Sequence, residues 1–424
     1  MKVILANNYF YMRGGAERVM FNDLEALRAH GVEVIPFSAA DPANLLSDRS
    51  GDFAEGVDVH AVSAKGRLRA AREAIHCART AKAFARLLDK ERPDIVHFHN
   101  IYGRLTTSIL PVARELGIPS VLTVHDYKVA CPAYLMLRNG KPCMACVDGR
   151  YSRCAIHRCH KGNLAASTVY AIEAWYSRKS GSYDAVSAFL CPSRFIGDIL
   201  QQSGIDESRI IYHPNCVDPE AYQPSYEGAY ALFTGRLSHE KGIATLLEAV
   251  KGTGIPLKIA GTGPLLESLA DQVAKSGLKD ITFEGHCTGE RLAALYRGAA
   301  VVVVPSEWFE NAPMVILEAF AYGKPVIAAR IGGIPEMIEE GQTGRLFLPG
   351  HALELRYALG NLWNRPDELQ RMGRNARSAI ETRFSEKRRV ASLITIYERL
   401  RNPPRYAVIR RNAAHSSGLN VVAG

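Results

Sequence analysis

No apolar run in this chain approaches the roughly 20 residues needed to cross a bilayer. The longest candidate, Ala299 to Pro305, has the length of a buried strand. The N-terminus, MKVILANNYFYMRGGAE, lacks the marks of a secretory signal. Its apolar run is short, Asn7 and Asn8 interrupt it, and no small-residue cleavage site follows. A cytoplasmic setting with reduced thiols is therefore expected. Nine cysteines in 424 residues are too few for a disulfide-dense mini-protein, and 47% hydrophobic with 22% charged residues excludes a disordered chain. There is no internal repeat. There is also no aromatic-rich ribonucleoprotein motif and no C-x2-C…H-x3-H pair, so nucleic acid is not an expected partner. No G-x-G-x-x-G follows the first apolar run, which argues against a dinucleotide-dependent dehydrogenase, and no G-x-x-x-x-G-K-[ST] marks a P-loop enzyme.

What is present is an alternation of short apolar runs with amphipathic helical patterns, the grammar of βαβ units and parallel sheets. Strands are expected at Lys2–Leu5, Val32–Phe37, Asp94–His99, Ser120–Thr123 and Ala188–Cys191. Gly14–His30, Arg67–Lys90 and Arg104–Leu116 read as helical. The same alternation restarts after Pro224 and runs through Ala231–Thr234, Leu257–Ala260, Ile281–Glu284, Val301–Pro305 and Pro325–Ala328. The fold class is thus α/β, with two doubly wound Rossmann-like domains. The boundary falls in the segment from His213 to Tyr226, which carries Pro214, Pro219 and Pro224. The expected division is 1–220 for the first domain and 225–384 for the second. A helix over 385–401 returns to the first domain, and a basic tail follows over 402–424. Two such domains place a ligand in the cleft at the carboxyl ends of their strands.

Charge is uneven. The net charge is +9, yet residues 61–161 alone hold 18 Lys/Arg against 7 Asp/Glu. A basic half calls for anionic partners. The amphipathic helix expected at Arg67–Lys90 carries Leu68, Ala71, Ile75, Ala78, Phe84 and Leu88 at helical spacing. It could lie on an anionic membrane or pack on its own sheet with a solvated basic face.

Four glycine-bearing loops each follow a strand: Gly14-Gly15, Gly235-Arg236, Gly261-Thr262-Gly263 and Gly332-Gly333. Glycine admits close backbone approach, and a following helix N-terminus favours anions. In GRLSHEKG, Arg236 and Lys241 flank a turn and suit a diphosphate; surface charge at a turn is the alternative. Glu310 and Glu318, in ENAPMVILE, could line one cleft and accept sugar hydroxyls, or could be solvated charges.

In order, GG, GRLSHEKG, GTGP, PSEWFENAPMVILEAFAYGKPVIA and GGIPE resemble the family 4 glycosyltransferases, retaining enzymes of the GT-B fold. The resemblance runs from Met1 to about Leu400 and is most specific in the second half. It implies a glycosyltransferase moving a hexose from a UDP- or GDP-linked sugar to a glycan or lipid-linked acceptor, in cell-surface or exopolysaccharide synthesis. Arg236 and Lys241 would neutralise the leaving diphosphate in place of a metal, so no catalytic cofactor is implied. Glu318 would accept ribose hydroxyls and Glu310 would hold the donor sugar. Main-chain N–H groups of Ala312, Pro313, Met314 and Val315, as far as each has one, would face the donor, and His125 would face the transferred sugar. Gly14, Gly15, Gly235, Gly261 and Gly263 would let loops approach the donor. Asn311 departs from the glycine many relatives carry and would stand beside that sugar. Cys216 replaces another frequent glycine. A non-catalytic assembly partner or a nucleotide-sugar epimerase of the same fold are the alternative readings.

Five cysteines form C-x11-C-x2-C-x7-C-x4-C from Cys131 to Cys159, directly after His125. Cys143, Cys146, Cys154 and Cys159 are enough for a tetrahedral structural zinc. Free thiols or a redox disulfide are the alternatives. The stretch HDYKVACP resembles a subset of bacterial polysaccharide glycosyltransferases.

Overall fold

The structure is a computed structural model that describes residues 1–58 and 63–402. The strands are β1 (Lys2–Ala6), β2 (Glu33–Phe37), β3 (Ile95–Phe98), β4 (Ser120–Thr123), β5 (Leu137–Arg138), β6 (Lys141–Pro142), β7 (Ala188–Cys191), β8 (Ile210–Tyr212), β9 (Tyr230–Thr234), β10 (Leu257–Ala260), β11 (Ile281–Gly285), β12 (Ala299–Val304), β13 (Val326–Ala329) and β14 (Gly344–Phe347). Two six-stranded sheets result, ordered β2-β1-β3-β4-β7-β8 and β11-β10-β9-β12-β13-β14, and every pairing in them is parallel. Strands covered on both faces read as continuous apolar runs rather than alternations. β12, AAVVVV, is the clearest, with only Ala300 less than fully buried.

Strand order reverses between β1 and β3 in the first sheet and between β9 and β12 in the second. At such switch points neighbouring loops diverge and leave a crevice. The loops carrying Gly14, Gly235 and Glu310 all leave these strands at their carboxyl ends.

The helix Glu386–Arg401 crosses back to the first sheet. Its Val390, Leu393, Ile396 and Tyr397 join Val3, Leu5, Leu24 and Leu27 in one core. A buried ion pair fastens it: Arg389 donates to both Asp23 carboxylate oxygens at 2.8 Å, and to Pro214 O at 2.7 Å.

Several elements depart from the sequence reading. The single helix expected at Arg67–Lys90 is two, Ala64–Ile75 and Ala78–Glu91, broken at extended His76. The break follows from Cys77, which is fully buried and whose carbonyl accepts from Thr80 and Ser108. Phe84, Leu87 and Leu88 are buried beyond it, whereas the first piece buries no residue fully. Arg104–Leu116 is helical only from Thr107, because Thr106 takes a positive φ of 68°. The helix bearing Glu318 begins at Met314, directly after extended Pro313. Helices Leu164–Lys179, Arg194–Gln202, Ala352–Trp363 and Pro366–Thr382, and strands β8 and β14, went unread. Of the expected basic tail, 403–424 lies outside the described residues.

Candidate functional site

The two rows of loops enclose a cavity of about 860 Å³. From the loop after β1 come Gly14 and Gly15, and from that after β4 comes His125. The loop after β9 brings Gly235, Arg236 and Lys241, and the loop after β10 brings Gly261 and Gly263. The loop after β12 and the start of the next helix bring Glu310, Asn311, Ala312, Pro313, Met314 and Val315. Of the residues singled out from sequence as candidates, Glu318, Gly332, Gly333, Cys216 and the five insert cysteines do not line it.

Glycine is required where these loops touch. Gly261 has a φ of +143°, and a Cβ there would stand 1.9 Å from Gly235 O. A Cβ on Gly333 would stand 1.9 Å from Asn311 O. By contrast, a Cβ on Gly14 or Gly15 would meet nothing nearer than 3.7 Å, so these two positions are open rather than crowded.

The charges are arranged unequally. Lys241 Nζ lies 2.7 Å from Glu310 Oε1, and Ser306 Oγ donates to the same oxygen at 2.7 Å. Burial pushes the Glu310 carboxyl up, but Lys241 and Ser306 outweigh it and hold it below the usual range. Lys241 also sits over the Trp308 ring at 5.2 Å. Arg236 is exposed, and among the described residues its guanidinium has no hydrogen bond or ion pair. Arg13 adds a third cation on the opposite wall, stacked on Tyr9. Sequence reasoning missed Arg13, although it stands directly before Gly14. Two cations without carboxylate partners in one cleft favour an anionic ligand.

Glu318 lies behind this wall. Tyr296 Oη donates to its Oε2 at 2.9 Å, and Arg18 Nε is 3.9 Å from Oε1. Burial raises its pKa above the ordinary value. One oxygen is therefore engaged and the other is weakly paired.

His125 closes a row of buried rings. Its Nε2 is 2.9 Å from His99 Nδ1, with the rings stacked. His97 packs against His99 and bonds Tyr397 Oη at 2.6 Å. Burial, reinforced by the Arg389 charge, lowers the His125 pKa to about 3, so the ring is neutral at neutral pH. Its Nδ1 has no protein partner among the described residues. Asp126 beside it, also missed, is raised to about 6 by burial.

Asn311 lines the cleft, and its side chain is engaged across it. Its Nδ2 donates to Val124 O at 2.8 Å and its Oδ1 accepts from Ser193 Oγ at 2.8 Å. Both partners belong to the first domain, so the side chain bridges the cleft. Glu336 forms a second bridge by accepting from the Arg194 and Phe195 amides at 2.6 and 2.8 Å, at a helix N-terminus.

Comparison with known proteins agrees with this architecture. Residues 13–221 match the family described as Glycosyltransferase Family 4, and residues 218–379 match Glycosyl transferases group 1. An uncharacterized glycosyltransferase of Methanocaldococcus jannaschii is 23% identical over 94% of this chain and 99% of its own length. The glycogen synthase of Mycobacterium tuberculosis is 29% identical over 69% of this chain and 66% of its own. The fold is that of the Anabaena protein HepE, solved in complex with UDP, at a TM-score of 0.65, 17% identity, and coverage of 94% of this chain and 100% of that one. With both domains matched in order around one cleft, the chain belongs to the family 4 glycosyltransferases of GT-B fold.

Proposed function

We propose that the cleft transfers a hexose from a UDP- or GDP-linked sugar to a glycan or lipid-linked acceptor with retention of anomeric configuration. The observation that carries this is the unpartnered Arg236 beside the Lys241–Glu310 pair. As the C1–O bond to the diphosphate breaks, negative charge gathers on the leaving oxygen. Fixed cations stabilise charge that develops in the transition state, and no divalent metal is required for that role. Arg236 contacts the diphosphate directly. Lys241 reaches it while orienting Glu310, whose second oxygen holds a sugar hydroxyl. Glu318 accepts from the ribose through its weakly paired Oε1.

Attack from the face of departure gives retention. The leaving phosphate takes the acceptor's proton, so the neutral His125 need not serve as a base; its free Nδ1 binds the sugar. HepE was solved with UDP and the glycogen synthase makes a polysaccharide, and both relationships favour a nucleotide-sugar donor and polysaccharide synthesis here.

No helix among the described residues is long and apolar enough to cross a membrane. The proposed setting is cytoplasmic, with peripheral attachment to the inner membrane face. The helix Ala64–Ile75 supports attachment: Leu68 is 75% exposed, and Lys65, Arg67 and Arg72 have no ion pairs among the described residues. Flotation with anionic vesicles at low salt tests it, and absence of binding contradicts it.

The donor test is melting temperature against UDP, GDP and their sugars, with EDTA present. A rise with one base supports the reading. No rise with any of them, together with no release of nucleoside diphosphate, contradicts it.

A further inference from the structure

Beside the cleft, the insert after β4 brings all five of its cysteines to one small space. Cys131, Cys143, Cys146, Cys154 and Cys159 line a cavity of about 20 Å³. Every cysteine in the chain is a free thiol. The remaining walls are apolar or thioether, including Met136 and Met144. A space of this size holds about one water-sized particle. A water there would find no side-chain oxygen or nitrogen, whereas a soft cation would find sulfur on several sides.

The backbone presents these sulfurs in short, tight segments. Cys143 and Cys146 straddle turns in which Val147 N donates to Met144 O at 3.2 Å and Gly149 N to Cys146 O at 3.0 Å. Cys154 and Cys159 straddle the end of the helix Ser152–Ile156, where Arg158 takes a φ of 48° and Cys159 N donates to Cys154 O at 3.0 Å.

We propose that four of these five thiols, among them the Cys143-x2-Cys146 pair, bind one structural zinc ion as thiolates. Cys131 lines the same space as the four cysteines expected from spacing and is a fifth candidate. Binding releases four protons, one from each ligand thiol. Among the described residues, the three candidate ligands with donor atoms within 4.8 Å of one another are Asp23, His97 and His99. Arg389, ion-paired to Asp23, disfavours a cation there. The thiols stand further apart, and zinc would draw them to roughly 3.8 Å, the spacing of a tetrahedron with Zn–S near 2.3 Å.

The consequence reaches the cleft. Tyr134 and Leu135, between Cys131 and Cys143, line the large cavity. A zinc at the base of this loop would hold that wall in place.

The test is elemental analysis of the full chain purified without chelator. One zinc per chain is expected. Cys143→Ser and Cys146→Ser should each lose it. Because a ligand variant could fail to fold, the wild-type chain is also loaded with cobalt. Tetrahedral thiolate coordination gives intense d–d bands and sulfur-to-cobalt charge transfer. Absence of zinc with no cobalt spectrum overturns the proposal, as does iron with stoichiometric sulfide. Zinc kept by both Cys143→Ser and Cys146→Ser overturns the ligand assignment.

Discussion

Lys241 Nζ stands 2.7 Å from Glu310 Oε1, and the pair joins the two most informative motifs of the second domain. Glu310 is 5% exposed, so Lys241 serves stability as well as charge. Arg236 has no such partner. The two cations should therefore separate in mutants. Arg236→Ala should lower turnover by about 10²–10³-fold and change stability by less than about 0.5 kcal/mol. Lys241→Ala should lose comparable activity and also about 1–3 kcal/mol, because it strands a buried carboxylate. Nucleoside diphosphate release and urea denaturation check both.

The Asn311 bridge predicts a looser cleft when it is cut. Asn311→Ala removes hydrogen bonds to Val124 and Ser193, each worth about 0.5–1.5 kcal/mol net. The radius of gyration in solution scattering should rise, and donor affinity should fall about tenfold. An unchanged radius and affinity would show that the bridge does not hold the domains.

The Arg389–Asp23 pair ties the C-terminal helix to the first domain. Arg389→Met should cost about 3–5 kcal/mol by leaving Asp23 buried and uncompensated. Adding Asp23→Leu should restore part of that loss. Denaturant midpoints of the single and double variants measure it.

Acid should destabilise the fold before ordinary carboxylates titrate. His97 is lowered to about 4 and His125 to about 3, in each case first by burial. Both stay neutral when folded but take up protons below about 6.5 when unfolded. Each therefore contributes stability above about pH 6.5, and that stability falls by about 1.4 kcal/mol per unit as the pH drops toward 4. His99 and His213, also lowered well below the usual range by burial, act in the same direction. Asp126, raised to about 6, acts oppositely between about 6 and 4. Glu318 and Glu386, raised by burial, act with Asp126, and His160, lowered by burial, acts with the other histidines. Five histidines against three carboxyls predict lower stability at pH 5 than at pH 7 in thermal unfolding.

The sequence made the two sheets legible because doubly covered parallel strands are continuous apolar runs. Ser120–Thr123 and Ala188–Cys191 have the expected limits. The glycine loops and the cations Arg236 and Lys241 were legible because close approach and anion binding restrict residue type. Arg13 and Asp126 were not, since a lone charge in a loop has no periodicity. The break at His76 was hidden because helical spacing of apolar residues continues across it, while Cys77 and Thr80 are held by Ser108 and Leu105, whose separation in sequence conceals the contacts. Asn311 was identified as a cleft residue, but its partners Val124 and Ser193 belong to the other domain, and only the folded arrangement reveals the bridge.

The central claim is retaining transfer at a metal-independent diphosphate site. Proton NMR of the first-formed sugar product, from the donor that raises the melting temperature and with EDTA present, tests it most directly. The account predicts that the product keeps the anomeric configuration of the donor and that Arg236→Ala slows its formation by about 10²–10³-fold. An inverted product, or turnover that stops when divalent cations are chelated and returns when they are restored, would contradict it.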